Sequence, residues 1–307
     1  MANKRLFGSA LLFVTAIIWG LAFVFQRTGM EHIGPFTFTA GRMILSALVL
    51  LPTVMVTDRL AEKNGTLASR TMEKSAFHAY KKNTLTGGVL CGLGVILGNT
   101  SQQIGLVDTA AGKAGFITAM YVLLVPVFGF LIFRKKPTAV EIGAVLAGTF
   151  GLYLLCINGS FALSKADLYL LFCAAAFALY ILTCDFYANK ADVIRVSFLQ
   201  FVVAAAVLTV IAVVLEHPAW EQIRPALAGI AYCGVLSGGM GYTFQIIGQK
   251  YAPPNQASLI MCLESVFSVL FGWLLLHEAL SARELAGCII LFAAVIAVQI
   301  PAAEKNQ

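Results

Sequence analysis

Charge is scarce in this sequence: only 12% of its 307 residues are Asp, Glu, Lys or Arg, about half the share of a water-soluble domain. The shortage argues against a solvated globule, and a hydrophobic content of 59% excludes a disordered chain. Histidine is scarcer still, and His32, His78, His217 and His277 all fall between the long apolar runs. An enzyme inside the membrane, working through a nucleophile and base or a metal cluster, therefore lacks its imidazoles. The seven cysteines form no CxxC pair, their number is odd and each lies in an apolar stretch. They read as buried thiols without disulfide or metal. Lys and Arg exceed Asp and Glu by 21 to 15, too small a surplus for a nucleic-acid partner. The run GLGVILG lacks the preceding strand and phosphate-binding context of a nucleotide site.

What is abundant is hydrophobic length. Apolar runs cover residues 6–26, 36–56, 84–104, 111–133, 139–157, 167–187, 197–215, 226–247, 255–276 and 282–300. Runs near 20 residues match the thickness of a bilayer, and in hydrocarbon every backbone amide needs an internal partner, so each run is expected to be a helix. The fold expected is an all-α polytopic membrane protein of ten transmembrane helices. The first run is too long for the core of a signal peptide and is expected to be retained.

Topology follows from the basic residues. With the N-terminus inside, Lys4, Arg5, Arg59, Lys63, Arg70, Lys74, Lys81, Lys82, Arg134, Lys135, Lys136, Lys190, Arg195, Lys250 and Lys305 lie on the cytoplasmic side. Arg27, Lys113, Lys165, Arg224 and Arg283 lie outside, and Arg42 lies within a span. This asymmetry places both termini in the cytoplasm and the chain in the cytoplasmic (inner) membrane.

An internal repeat is visible at a shift of 143 residues. It superposes Leu93, Gly98, Gln102, Gly105 and Ala114 on Leu236, Gly241, Gln245, Gly248 and Ala257. It also superposes Phe128, Gly129, Leu131, Ala139 and Glu141 on Phe271, Gly272, Leu274, Ala282 and Glu284. The first two spans of each half align weakly at a shift near 161, the difference residing in the longer connection after span two. A duplicated unit of five helices enters the membrane from opposite sides, so the expected organisation is two inverted five-helix repeats, residues 1–157 and 163–303.

The stretches IIWGLAFV (17–24), FTFTAGRMILSALVLL (36–51), AGFITAMYVLLVPVFGFLIFRKKPTAVEIGAVLAG (114–148) and ASLIMCLESVFSVLFGWLLLHEALSARELAGCIIL (257–291) resemble the EamA type of the drug/metabolite transporter superfamily. The resemblance covers essentially the whole chain. It implies two inverted EamA repeats, a central cavity between helices one to four and six to nine, and helices five and ten at the periphery. It also implies transport of small metabolites by alternating access. The sequence departs from the family pattern at RKKP (134–137), where an acidic residue like Glu278 is usual, and at Ser265, where proline is common. The second departure suggests a straighter helix nine.

The candidate site is drawn from polar groups that lipid does not tolerate. Glu264 lies near mid-span, where an isolated carboxylate costs a few kcal/mol, so it must face a wet cavity, be paired or be protonated. The repeat superposes it on Tyr121, also near mid-span. Glu264 is either a structural carboxyl bonded to a neighbouring hydroxyl or amide, or a functional group, a substrate ligand or a proton-coupling group. Arg42, about six residues inside span two, either snorkels and ties down backbone carbonyls or attracts an anionic group of the substrate. Asp185, near the inner end of span six, reads as an interfacial cap.

Spans three and eight carry GxxxG spacings, which serve packing, and amides, which packing does not explain. Asn99 and Gln102, and Tyr242 and Gln245, are expected to line the outer and inner halves of one path. Trp19 is included because it belongs to a matched stretch; other aromatics on spans one and six are more simply packing residues. The sequence thus reads as a secondary active transporter of a small metabolite, amino acid-like or amphipathic, in the export direction. Its substrate-binding residues would be Trp19, Arg42, Asn99, Gln102, Tyr121, Tyr242, Gln245 and Glu264. The expected partners are the small-molecule substrate, the bilayer and protons as coupling ion, with no cofactor and with the chain a monomer or weak homodimer. The competing class is a selective channel or facilitator for small polar solutes, which uses a similar polar lining without ion coupling.

Overall fold

The computed structural model describes residues 2–109, 111–157, 164–276 and 281–299. His277 and Glu278 lie outside the described residues. The elements are α1 (Ala2–Gly29), α2 (Pro35–Lys63), α3 (Ala68–Thr71), α4 (Lys74–Asp108), α5 (Ala111–Ala119), α6 (Tyr121–Phe133), α7 (Ala139–Cys156) and α8 (Lys165–Ala188). They continue with α9 (Val193–Leu215), α10 (Trp220–Ala231), a π-helical segment (Tyr232–Tyr242), α11 (Thr243–Gln249), α12 (Pro254–Met261), α13 (Leu263–Leu276) and α14 (Ala282–Gln299). The described residues are all-α. Seven of the helices are long and apolar enough to cross a membrane. The shorter rods α7, α10 through α11, and α14 bring the apolar rods to ten.

Local signals set the helix ends. Thr138 and Ser164 each cap a helix through a capping box with Glu141 and Asp167. Glu216, from the segment after α9, takes the same role for α2 from a distance. Its carboxylate accepts the backbone N–H groups of Phe36 at 2.9 Å and Thr37 at 2.7 Å. The basic segment expected to be a loop over residues 57–83 is mostly helical: α2 runs on to Lys63 and α4 begins at Lys74. Past the apolar run, polar side chains sustain the helix by facing water.

Two rods are interrupted near mid-length. Helix four breaks at Met120 between α5 and α6, and helix nine breaks at Cys262 between α12 and α13. The break needs no proline, because the chain turns through Cys262 with φ −58° and ψ −18°, a tight helical turn of the 3₁₀ type.

The rods pair closely: α4 with α8 and α9, α7 with α14, α2 with α9, and α1 with α13. Glycines make these approaches possible. A Cβ at Gly88 or Gly92 would come within 2.5 and 2.9 Å of Leu199 and Val203 on α9. At Gly94 and Gly98 it would come within 2.9 and 2.5 Å of Tyr180 and Phe177 on α8. One GxxxG pair thus serves each neighbour. Six of the seven cysteines are buried, and Cys156 lies where no side chain is described.

Candidate functional site

The ten rods enclose a central cavity to which α7, α9, α10 and α14 contribute no residue. All eight candidates line it: Trp19, Arg42, Asn99, Gln102, Tyr121, Tyr242, Gln245 and Glu264. Its volume of about 40 Å³ exceeds the roughly 10–15 Å³ that one water needs. The space has room for water but is contracted, and a metabolite needs it to widen.

Glu264 sits in the first turn of α13 and is 7% exposed. The positive end of that half-helix favours a negative charge there. Tyr121 heads α6 in the same way and donates its hydroxyl to Glu264 Oε1 at 3.3 Å. These residues are related by the 143-residue shift. So are Asn99 and Tyr242, whose side chains bond at 2.9 Å, and Ala119 and Cys262, where the thiol meets the carbonyl at 3.7 Å. Three pairs of residues thus touch their own shift partners, and two of the pairs line the cavity.

Arg42 is 3% exposed and does not snorkel. The guanidinium donates Nη1 to Gln26 Oε1 at 3.1 Å and Nη2 to Asn99 Oδ1, while Nε has no partner. Among the described residues no ion pair includes it. Its partners are therefore side-chain amides, not the backbone carbonyls that the structural reading of Arg42 required. Gln103 Nε2 also donates to Gln26 Oε1, closing a belt of α1, α2 and α4 side chains above the cavity.

The amides of helices three and eight meet at one place: Gln102 and Gln245 line the same cavity. Gln245 Nε2 donates to Gln249 Oε1 at 3.1 Å, and its own Oε1 has no partner. Trp19 packs 4.8 Å from Tyr242, centroid to centroid, and donates Nε1 to the Ser237 carbonyl at 3.1 Å. Asp185 stands apart, 3.8 Å from Lys135, in the C-terminal part of α8.

Sequence reasoning missed Gln26, Gln103 and Ser237. Gln26 is the last residue of the first apolar run. The signal that finds it is its position seven residues after Trp19, on the same helical face. Ser237 contributes a backbone carbonyl, which side-chain identity does not reveal.

The model of the EamA-like transporter family matches residues 6–157 and again 164–299. An uncharacterized transporter of Archaeoglobus fulgidus is 26% identical, with 97% of this chain and 87% of that protein covered. An uncharacterized transporter of Bacillus subtilis, YoaV, is 21% identical over 90% of each chain. A WAT1-related chloroplastic protein of Arabidopsis thaliana is 22% identical over 92% of this chain and 67% of its own. A solved crystal structure superposes with a TM-score of 0.74 at 15% identity, covering 95% of this chain and 96% of the other, which establishes likeness of fold.

Proposed function

The chain belongs to the EamA-like transporter family, and from that premise we propose that it is a secondary active transporter exporting a small metabolite across the cytoplasmic membrane by alternating access. The proposal takes the N- and C-termini as cytoplasmic and the two family matches as inverted five-helix repeats, residues 1–157 and 163–303. The contacts between shift partners at the cavity support that organisation.

The observation that carries the reading is the cavity itself, which holds one buried cation and one buried carboxylate that are not paired with each other. Among the described residues Arg42 has no carboxylate partner. An anionic group of the substrate supplies one, and two amide oxygens already fix the guanidinium plane. Glu264 offers the complementary charge or a proton. The aromatic rings of Trp19, Tyr121 and Tyr242 give the remaining surface an amphipathic character. A substrate of amino acid-like or amphipathic chemistry matches this lining, with Glu264 cycling between protonated and charged forms as the coupling group.

Counterflow in proteoliposomes tests the proposal. Vesicles preloaded with an unlabelled amino acid from a panel should transiently accumulate the labelled compound, and uptake should saturate. Linear, non-saturating flux without counterflow would identify a channel instead. Absence of flux for every solute in the panel would remove the amino acid-like substrate.

A further inference from the structure

We propose that Phe23 is the gate between the central cavity and an outer vestibule, closed from above by the hydrogen-bonded belt of Gln26, Arg42 and Gln103. The inference rests on reading the central cavity as the substrate's. A second cavity of about 490 Å³ lies at the ends of α1 and α4, lined by Phe23, Arg27, Met30, Glu31, Leu106, Val107, Asp108 and Thr109. Phe23 is the one residue common to the linings of the two cavities.

The helical period explains this position. On α1, Trp19, Phe23 and Gln26 follow one stripe into the central cavity, while Phe23, Arg27 and Met30 continue it into the vestibule. Phe23 is the shared step of the two stripes, and it is buried, 9% exposed. On α4, Gln102 belongs to the cavity, and Leu106 and Val107, one turn on, belong to the vestibule. The polar belt crosses between α1, α2 and α4 at the same level: Gln26 Oε1 receives both Arg42 Nη1 and Gln103 Nε2.

The helix that carries the gate also touches the midplane carboxyl's own turn, at Gly20. A Cβ at Gly20 would lie 2.4 Å from Phe267 Cβ and 2.9 Å from the Glu264 carbonyl oxygen. Gly20 and Phe23 are three residues apart, so α1 rests on α13 one turn below the gate. A shift of the Glu264 turn displaces α1 directly, which links occupancy of the site to the position of the ring.

The vestibule's lining includes the charged residues Arg27, Glu31 and Asp108, whereas the residue it shares with the central cavity, Phe23, is apolar. A Phe side chain can swing by one rotamer without backbone movement, which suits it to gating.

The test reads access, not transport. Cysteine is placed at Gln102, in the central cavity, and separately at Val107, which lines the vestibule and is 61% exposed. Both are treated from the vestibule side with a membrane-impermeant maleimide, and the parent chain's own labelling is subtracted. With a minor open state populated at about 0.1–10%, Phe23→Ala should raise the labelling rate at position 102 by roughly tenfold or more. Phe23→Trp should slow it, and position 107 should react equally in all backgrounds. Phe23→Leu, which keeps apolar bulk, should stay near the parent and guards against misfolding as the cause. Unchanged reactivity at position 102 in Phe23→Ala, with position 107 still reactive, would overturn the gate. Counterflow is scored separately: its absence alongside gated labelling would refute the transport reading and leave the gate standing.

Discussion

Glu264 and Arg42 differ in what holds them, and their variants should fail differently. Glu264 has a single hydroxyl partner at 3.3 Å, so Glu264→Gln keeps the shape and most of the hydrogen bonding. The amide has no titratable proton. Proton-driven accumulation should be abolished while substrate exchange, which needs no net proton movement, persists; paired assays in liposomes at matched insertion check this. Wild-type rates in both assays would make Glu264 a structural carboxyl. Arg42 uses its planar fork on two separate amides, a geometry an ammonium cannot reproduce. Arg42→Lys should insert normally yet weaken binding of a carboxylate-bearing substrate by about tenfold, equivalent to about 1.4 kcal/mol, read from the concentration dependence of exchange.

At the scale of elements, the glycine contacts separate helices that hold the fold from helices that shape the site. α7 and α14 meet backbone to backbone: a Cβ at Gly151 would stand 2.8 Å from the Gly287 carbonyl oxygen, and one at Gly287 would stand 2.6 Å from that of Gly151. Neither helix lines the cavity. Gly151→Val should therefore destabilise the protein by about 1–3 kcal/mol, measured by thermal unfolding in detergent. Exchange by the correctly inserted fraction should keep its apparent affinity.

The π-helical segment shows the opposite case, an element built for the site. A π turn is seldom stable over eleven residues. Its carbonyls at Gly234, Ser237 and Gly241 are engaged by Ser46 Oγ at 2.8 Å, Trp19 Nε1 at 3.1 Å and Thr15 Oγ1 at 3.2 Å. Such donors come from α1 and α2, so the segment's form depends on its neighbours.

On the scale of the whole molecule, α2 and α9 are tied at both ends. Glu216 caps α2 at one end, and at the other Arg195 Nη2 meets Asp58 Oδ2 at 2.7 Å. Glu216→Gln should loosen the cap and lower stability by about 1 kcal/mol, visible as a reduced unfolding temperature. The same ends define the sides of the membrane. Single cysteines near residues 70 and 135 should label from the cytoplasm and one near 220 from outside; residue 70 reacting from outside would refute the topology.

The sequence by itself determined the helices and the character of the site. Runs of about 20 apolar residues admit no other backbone in lipid. Polar residues at such depth are costly enough to be few, so Glu264, Arg42, Asn99 and Gln102 could be named as a site before any contact was known. The 143-residue shift likewise paired Tyr121 with Glu264 on the page. What it could not decide were distances and shared occupancy: that Gln102 and Gln245 meet in one cavity, that Arg42 is held by Gln26, and that a π segment offers the Ser237 carbonyl. Only tertiary structure settles these, because they depend on how closely glycines let helices approach and on which side chain arrives from a neighbour. Hydropathy registers how deep a residue lies and not which way it faces.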